Sequence, residues 1–301
     1  MIHLLLGPAR AGSSRFLLSI WFILAFGAQC ASAQNALPAP FTQFSFPAPE
    51  SLAQAAPLDT IAPKSSSSLL SASSYPNAGV SWKTLPIHTL RDQKYVWLFP
   101  LDVARGHHLV PTISIVGVTA ALIALDSHTE PYFARTTDFD RYTETFNGTF
   151  TGSFMAAVPV SLYVFGLARH DSYAQQTAIL AGEAYADSAI PQVAIKVISR
   201  RYRPSAIPPN GNFSDTFFQS STSVFGKGSS FPSGHAAGVF SIATVIARRY
   251  GDHRWVPWVA YGVAGVFAFS RVPSRSHFPS DVFLGAALGY TITRYDVFRG
   301  Q

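Results

Sequence analysis

Cysteine is almost missing from this sequence: one residue, Cys30, in 301. It falls within an N-terminal stretch that reads as a leader, so the chain beyond that leader has no thiol. That excludes a disulfide framework, a thiolate metal site and a cysteine nucleophile. Charge is scarce as well, at 13% of residues, and acids are the scarcer sign: 16 Asp and Glu against 22 Lys and Arg. The sequence has no HExxH helix, no visible carboxylate cluster and no convincing strand pattern. No metal, cofactor or nucleic-acid partner is expected, and nothing indicates an oligomeric state.

Apolar residues make up 48% of the chain, and the mean hydropathy is +0.19. That composition fits a membrane-embedded protein or a dense all-helical core. The formal charge of +6 suits an anionic partner, either a phosphate compound or an anionic membrane surface. At the N-terminus, Arg10 and Arg15 precede the apolar run Phe16 to Ala28, and "ASA" follows at Ala31 to Ala33. This is the pattern of a secretory signal cleaved after Ala33. Its removal takes two arginines and no acid, lowering the formal charge from +6 to +4. Residues 34–80 are rich in Pro, Ala and Ser, show no lasting apolar period, and read as a disordered tether.

The texture changes near Ser81, and residues 81–301 read as one helical domain. Six helical segments are expected: Leu109 to Leu125, Ser153 to Ala168, Tyr173 to Ser199 with a kink at Pro191, Ala236 to Ala247, Trp255 to Ser270, and Val282 to Thr293. Gly262, Gly265, Gly285 and Gly289 would let helices approach closely. The fold class is therefore all-α, a membrane-associated bundle of about six helices. Most of these segments are shorter than the roughly 20 residues that cross a bilayer. Three crossings after a cleaved leader would also leave the loop after Ser199 in the cytoplasm.

Three polar patches interrupt the second half. In "KVISRRYRP", Lys196 and Arg203 lie seven apart, about two helical turns, and Pro204 ends the segment. Two cations there can hold an oxyanion, or simply complement a helix end. In "SSFPSGHAAG", Ser233 and Gly234 open a helix whose free amides form an anion cradle, with His235 beside it. An ordinary N-cap reads the same way. In "SRVPSRSHFPSD", Asp281 follows His277 by four residues and Pro279 starts a helix. The carboxylate can orient the imidazole, or merely favour the helix N-terminus.

Taken together, K-x6-R-P, then P-S-G-H, then S-R-x5-H-x3-D resemble the type 2 phosphatidic acid phosphatase superfamily. That group also includes bacterial non-specific acid phosphatases and vanadium haloperoxidases. The resemblance extends from about Leu109 to Tyr290. It implies that Lys196, Arg203 and Arg271 bind phosphate, and that Ser233 and Gly234 donate to its oxygens. It further implies that His277 is the nucleophile forming a phosphohistidine, Asp281 its orienting partner, and His235 the general acid. The expected activity is metal-independent hydrolysis of a lipid phosphate or pyrophosphate by an exported enzyme, at the membrane with an extracytoplasmic site. A soluble periplasmic acid phosphatase is the alternative, and a vanadate-dependent haloperoxidase a more remote one.

Residues off the matched positions carry other expectations. Arg200, Arg201 and Arg275 suit surface or headgroup contacts. Glu183 and Asp187 suit a structural pair with neighbouring helices. His107 and His108 suit the membrane interface. The loop Ser205 to Ser230, with Phe213, Phe217, Phe218 and Phe225, either lines an acyl-chain entry or packs on itself as a lid.

Overall fold

A computed structural model describes residues 81–219 and 229–298. The expected leader, the tether and Phe225 lie outside them. Eight α-helices follow in order among the described residues: α1 Leu85–Ala104, α2 Leu109–Arg135, α3 Asp140–Thr145, α4 Gly148–Ala168, α5 Ser172–Ser199, α6 Gly234–Arg249, α7 Val256–Phe269 and α8 Pro279–Ile292. A π-helical turn, Thr293–Val297, continues α8. The described residues contain no strand.

Local chemistry sets the helix starts. The Asn147 side chain accepts the Phe150 amide ahead of α4, and Asp171 accepts those of Tyr173 and Ala174 ahead of α5. Each such cap stabilises by about 1 kcal/mol. Pro279, with its φ preset and no amide to satisfy, begins α8. Two elements were not anticipated, α1 and the six-residue α3. The first is interrupted by His88, Arg91, Asp92, Lys94 and Pro100, so no apolar run announces it. Helix α2 is longer than its uncharged stretch, running ten residues beyond Leu125 through Asp126 and Glu130 to Arg135.

Helix α6 is buried along nearly its whole length and packs against α5, α7 and α8. Leu180, Val245 and Val256 are fully enclosed in the core around it, and Phe154 stacks on Phe267 at 4.2 Å. Two of the four glycines explain the closeness. A Cβ on Gly285 would stand 2.3 Å from the Ser233 carbonyl oxygen, and one on Gly289 2.2 Å from that of Ala237. Gly262 and Gly265 instead meet nothing within 4 Å, so they mediate no helix contact. They lie on α7, whose Trp258, Val259 and Val266 are exposed.

Among the described residues, only α2 and α4 are both long and apolar enough to cross a membrane, and little of either is buried. At one end of the bundle the α2–α4, α5–α6 and α7–α8 connections meet. Arg271 and Ser270 donate to the Phe146 carbonyl, and Ser205 donates to that of Arg275. At the opposite end Tyr173 and Arg249 join the start of α5 to the end of α6.

The acids on α5 depart from their expected role. Glu183 and Asp187 are buried together with Asp92 of α1, their ligand-capable oxygens all within 4.8 Å of one another. This is a carboxylate cluster that sequence spacing hides, because Asp92 comes from a distant helix. The Gln93 amide donates to the Asp187 carboxylate, and His88 stands 3.6 Å from Glu183.

Candidate active site

Helix α5 ends at Arg200, whose backbone is left-handed (φ 42°), and the chain beyond it is extended at Arg203. Lys196 and Arg203 therefore do not share a helical face. The turn itself returns Arg203 toward Lys196, and both line a cavity of about 210 Å3 between α5 and α6. Gly234, His235 and His277 line the same cavity. Five of the eight anticipated residues thus converge on one space, although they come from three separate segments. Ser233, Arg271 and Asp281 stand behind that lining.

Ser233 is the N-cap of α6. Its hydroxyl accepts the Ala236 amide at 3.4 Å, and its own amide donates to the Asp281 carbonyl at 2.9 Å. The expected anion cradle therefore does not include the Ser233 amide. It falls to Gly234 and His235, in the first helical turn, where amides have no intrahelical acceptor. Gly234 is confined from one side by Gln192, whose amide would lie 3.4 Å from an added Cβ. Gln192 also donates to the Pro232 carbonyl at 2.9 Å, steadying the turn ahead of α6. It lies four residues before Lys196, on the same face of α5, and that spacing could have identified it.

His277 is 2% exposed. Its Nδ1 is 2.7 Å from the Ser230 carbonyl and 3.6 Å from Asp281 Oδ2. The shorter contact is the hydrogen bond: a carbonyl only accepts, so Nδ1 carries the proton and Nε2 is the unprotonated nitrogen. Asp281 flanks the ring as a charge rather than as its direct acceptor. Its Oδ2 accepts the Phe278 amide at 2.9 Å, and its Oδ1 accepts Arg201 at 2.6 Å. Burial pushes the His277 pKa down to about 4, against the upward pull of Asp281.

His235 is also pushed down to about 4, by burial first and then by Arg271 and His277; a hydrogen bond to the Gly148 backbone opposes this. Burial lowers Arg271 to about 10 and lowers Arg203, and both remain cations at neutral pH. The Arg271 guanidinium is held by the Ser270 hydroxyl at 2.8 Å and by the Phe146 carbonyl. A Cβ on Gly148 would come within 3.2 Å of it. Arg203 donates to the Ser276 carbonyl at 3.1 Å, tying the first patch to the third.

Arg201 is not a surface residue. It is 1% exposed, and Phe278 and Phe217 lie 3.9 and 4.5 Å from its guanidinium carbon. Arg275, half-buried, donates to the Pro204 and Ile207 carbonyls, so it braces the loop. Arg200 is half-buried at the end of α5. His107 and His108 are exposed, and His108 stacks on Phe99. Phe213 is buried against Ile207 and Phe278, and Phe217 packs on Phe231, so this part of the loop packs on the site's own scaffold.

Residues 177–297 match the family model described as the PAP2 superfamily. The chain is also similar to a lipid A 1-phosphatase of Porphyromonas gingivalis, 39% identical over 64 residues. Those residues are 21% of this chain and 14% of that relative's length. No solved structure matches the chain. The matched segment contains the cavity-lining cations and both histidines, and it supports membership of the PAP2 superfamily.

Proposed function

We propose that this protein is a phosphatase acting on a lipid phosphate, through a phosphohistidine and without a metal. The observation that carries this reading is the lining of one cavity by Lys196, Arg203, Gly234, His235 and His277. Cations and helix amides suit the equatorial oxygens of a phosphoryl group in transfer. With Nδ1 donating to Ser230, Nε2 of His277 is free to attack phosphorus.

In the first step a bond forms between Nε2 and phosphorus while the bond to the lipid oxygen breaks. His235 delivers its proton to that departing oxygen. In the second step a water oxygen attacks phosphorus, the P–N bond breaks, and His235 takes the water's proton. Arg203, Lys196 and Arg271 supply the positive charge that a metal would otherwise bring.

A lipid substrate is supported by the similarity to a lipid A 1-phosphatase and by the exposed apolar faces of α2 and α4. The leader pattern supports an extracytoplasmic site. The test is phosphate release from a panel of lipid and soluble phosphomonoesters and lipid pyrophosphates, with chelator present throughout. Release from lipid phosphates is expected to persist in chelator and to fall at least a thousandfold in His277→Ala, about 4 kcal/mol of barrier. Full release by His277→Ala would sink the assigned nucleophile. Abolition by chelator would sink the metal-free reading.

A further inference from the structure

We infer that Asp126 is a positioning residue for the reaction at His277, acting through Arg201 and Asp281. The inference rests on the phosphohistidine reading above. Asp126 lies on α2, a helix mostly turned to the outside, yet it is 1% exposed, buried like Thr119 and Glu130 on the same helix. It accepts Arg201 Nη2 at 2.7 Å, and Ser280 holds it through both hydroxyl and amide. The other edge of the same guanidinium donates to Asp281 Oδ1 at 2.6 Å and to the Ser280 hydroxyl at 2.7 Å, and its Nε donates to Thr216 at 2.9 Å. Arg201 is therefore shared between two carboxylates. The remaining oxygen of Asp281 faces His277 Nδ1 at 3.6 Å.

The consequence is electrostatic. Asp126, Arg201 and Asp281 form a row of charge −, +, −, which is net −1 behind an imidazole that gains positive charge as it is phosphorylated. Removing the outer carboxylate leaves the row neutral, with Arg201 pulling on Asp281 alone. The imidazole then loses negative support at a place where burial screens little. Other charged groups face the same centre. Lys196, Arg203 and His235 approach His277 from α5, the following loop and α6, and Glu130 and Arg275 border the Asp126 end. All of these stay constant across the variants compared.

The experiment uses the full chain in detergent micelles and compares wild type with D126N, R201Q and the double variant. Asparagine keeps the shape and accepting oxygen of Asp126 but not its charge. For D126N, kcat is expected to fall about tenfold or more, the scale of one unit charge acting through protein. KM should hold, because Asp126 touches neither the cavity nor its cations. The acid limb of kcat/KM should move to lower pH, since the imidazolium has lost support. Histidine-selective 15N NMR should show the His277 titration moving the same way without any substrate. R201Q leaves two carboxylates unopposed and should move it up, and the double variant should lie between.

A purely structural tie between α2 and α8 predicts otherwise: lower thermal stability, an unmoved titration, and a double variant no better than the worse single. That result would overturn the inference, as would wild-type kcat in D126N. If D126N does not fold, R201Q against the double variant still isolates the Asp126 charge, and equal titrations there refute it. If wild type releases phosphate from nothing, the phosphatase reading fails, while the NMR titration separately decides whether Asp126 acts on His277.

Discussion

His277 and His235 are both pushed down to about 4, so both rings are neutral at pH 7 in the free protein. The nucleophile proposed at His277 needs that state, and the general acid proposed at His235 does not. The missing proton can arrive with the substrate. A phosphomonoester binds its second proton with a pKa of about 6, and dianionic phosphate beside His235 favours the imidazolium. Transfer within the complex then arms the acid. It follows that kcat/KM should fall on the acid side near pH 4, where His277 becomes protonated, because a lowered pKa keeps the ring neutral down to that pH. On the alkaline side it should fall near the substrate's second ionisation. A phosphate ester of a fluorinated alcohol, with a lower second pKa, should move only the alkaline limb, toward acid. An alkaline limb that stays fixed would assign it to an enzyme group. Of the eight residues marked by their spacing in three short patches, five line one cavity. Ser230, Arg201 and Asp126 were not marked by spacing. Ser230 contributes a backbone carbonyl, which residue identity does not advertise. Arg201 looks like any basic residue at a helix end until Phe278, Phe217 and two carboxylates close around it.

Among the helices, the α6–α8 contact places the chemistry. Gly285 of α8 lies against the Ser233 carbonyl, one residue before the Gly234 turn and one turn along from Asp281. A methyl group there meets backbone at 2.3 Å, and backbone cannot swing away as a side-chain end can. Gly285→Ala should cost about 1–3 kcal/mol, the range for overpacking a core, seen as a lower Tm. Activity should fall further than stability alone implies, because the strain falls on the turn carrying the anion cradle. Gly262→Ala, facing open space, should be neutral or stabilising by up to about 1 kcal/mol through helix propensity. Equal effects of the two substitutions would contradict the packing described. Sequence composition marked all four helical glycines alike, since it cannot tell a contact face from an outer face. It also missed α1, whose His88, Arg91, Asp92 and Lys94 break the apolar run that would have announced it; Asp92 is buried in the carboxylate cluster, while Arg91 and Lys94 are exposed.

At the scale of the whole molecule, α1 leaves a difficulty of topology in place. Three long helices, α2, α4 and α5, precede the loop after Ser199, since α3 has only six residues. Helix α1 adds no pass along the bundle: Trp82 before it packs on Tyr163 near the end of α4, and His108 after it packs on Tyr295 beyond α8, both away from the site. The α2–α4, α5–α6 and α7–α8 connections share one end of the bundle and meet at the site. The proposed extracytoplasmic site puts that end outside, which side-specific labelling tests. The α4–α5 and α6–α7 connections fall at the other end, near the Tyr173–Arg249 contact. Because Cys30 is the sole cysteine, a Cys30→Ser background allows single cysteines to report side cleanly. Asp138→Cys and Asp215→Cys, both exposed at the site end, should react with a membrane-impermeant maleimide added outside intact cells. His170→Cys and Asp252→Cys, exposed at the far end, should react only after the membrane is opened. Labelling of all four from outside would mean that the bundle does not cross, and would favour a soluble periplasmic phosphatase. Labelling of the far-end pair alone would turn the site inward and remove the extracytoplasmic reading, while leaving the convergence of Lys196, Arg203, His235 and His277 on one cavity untouched.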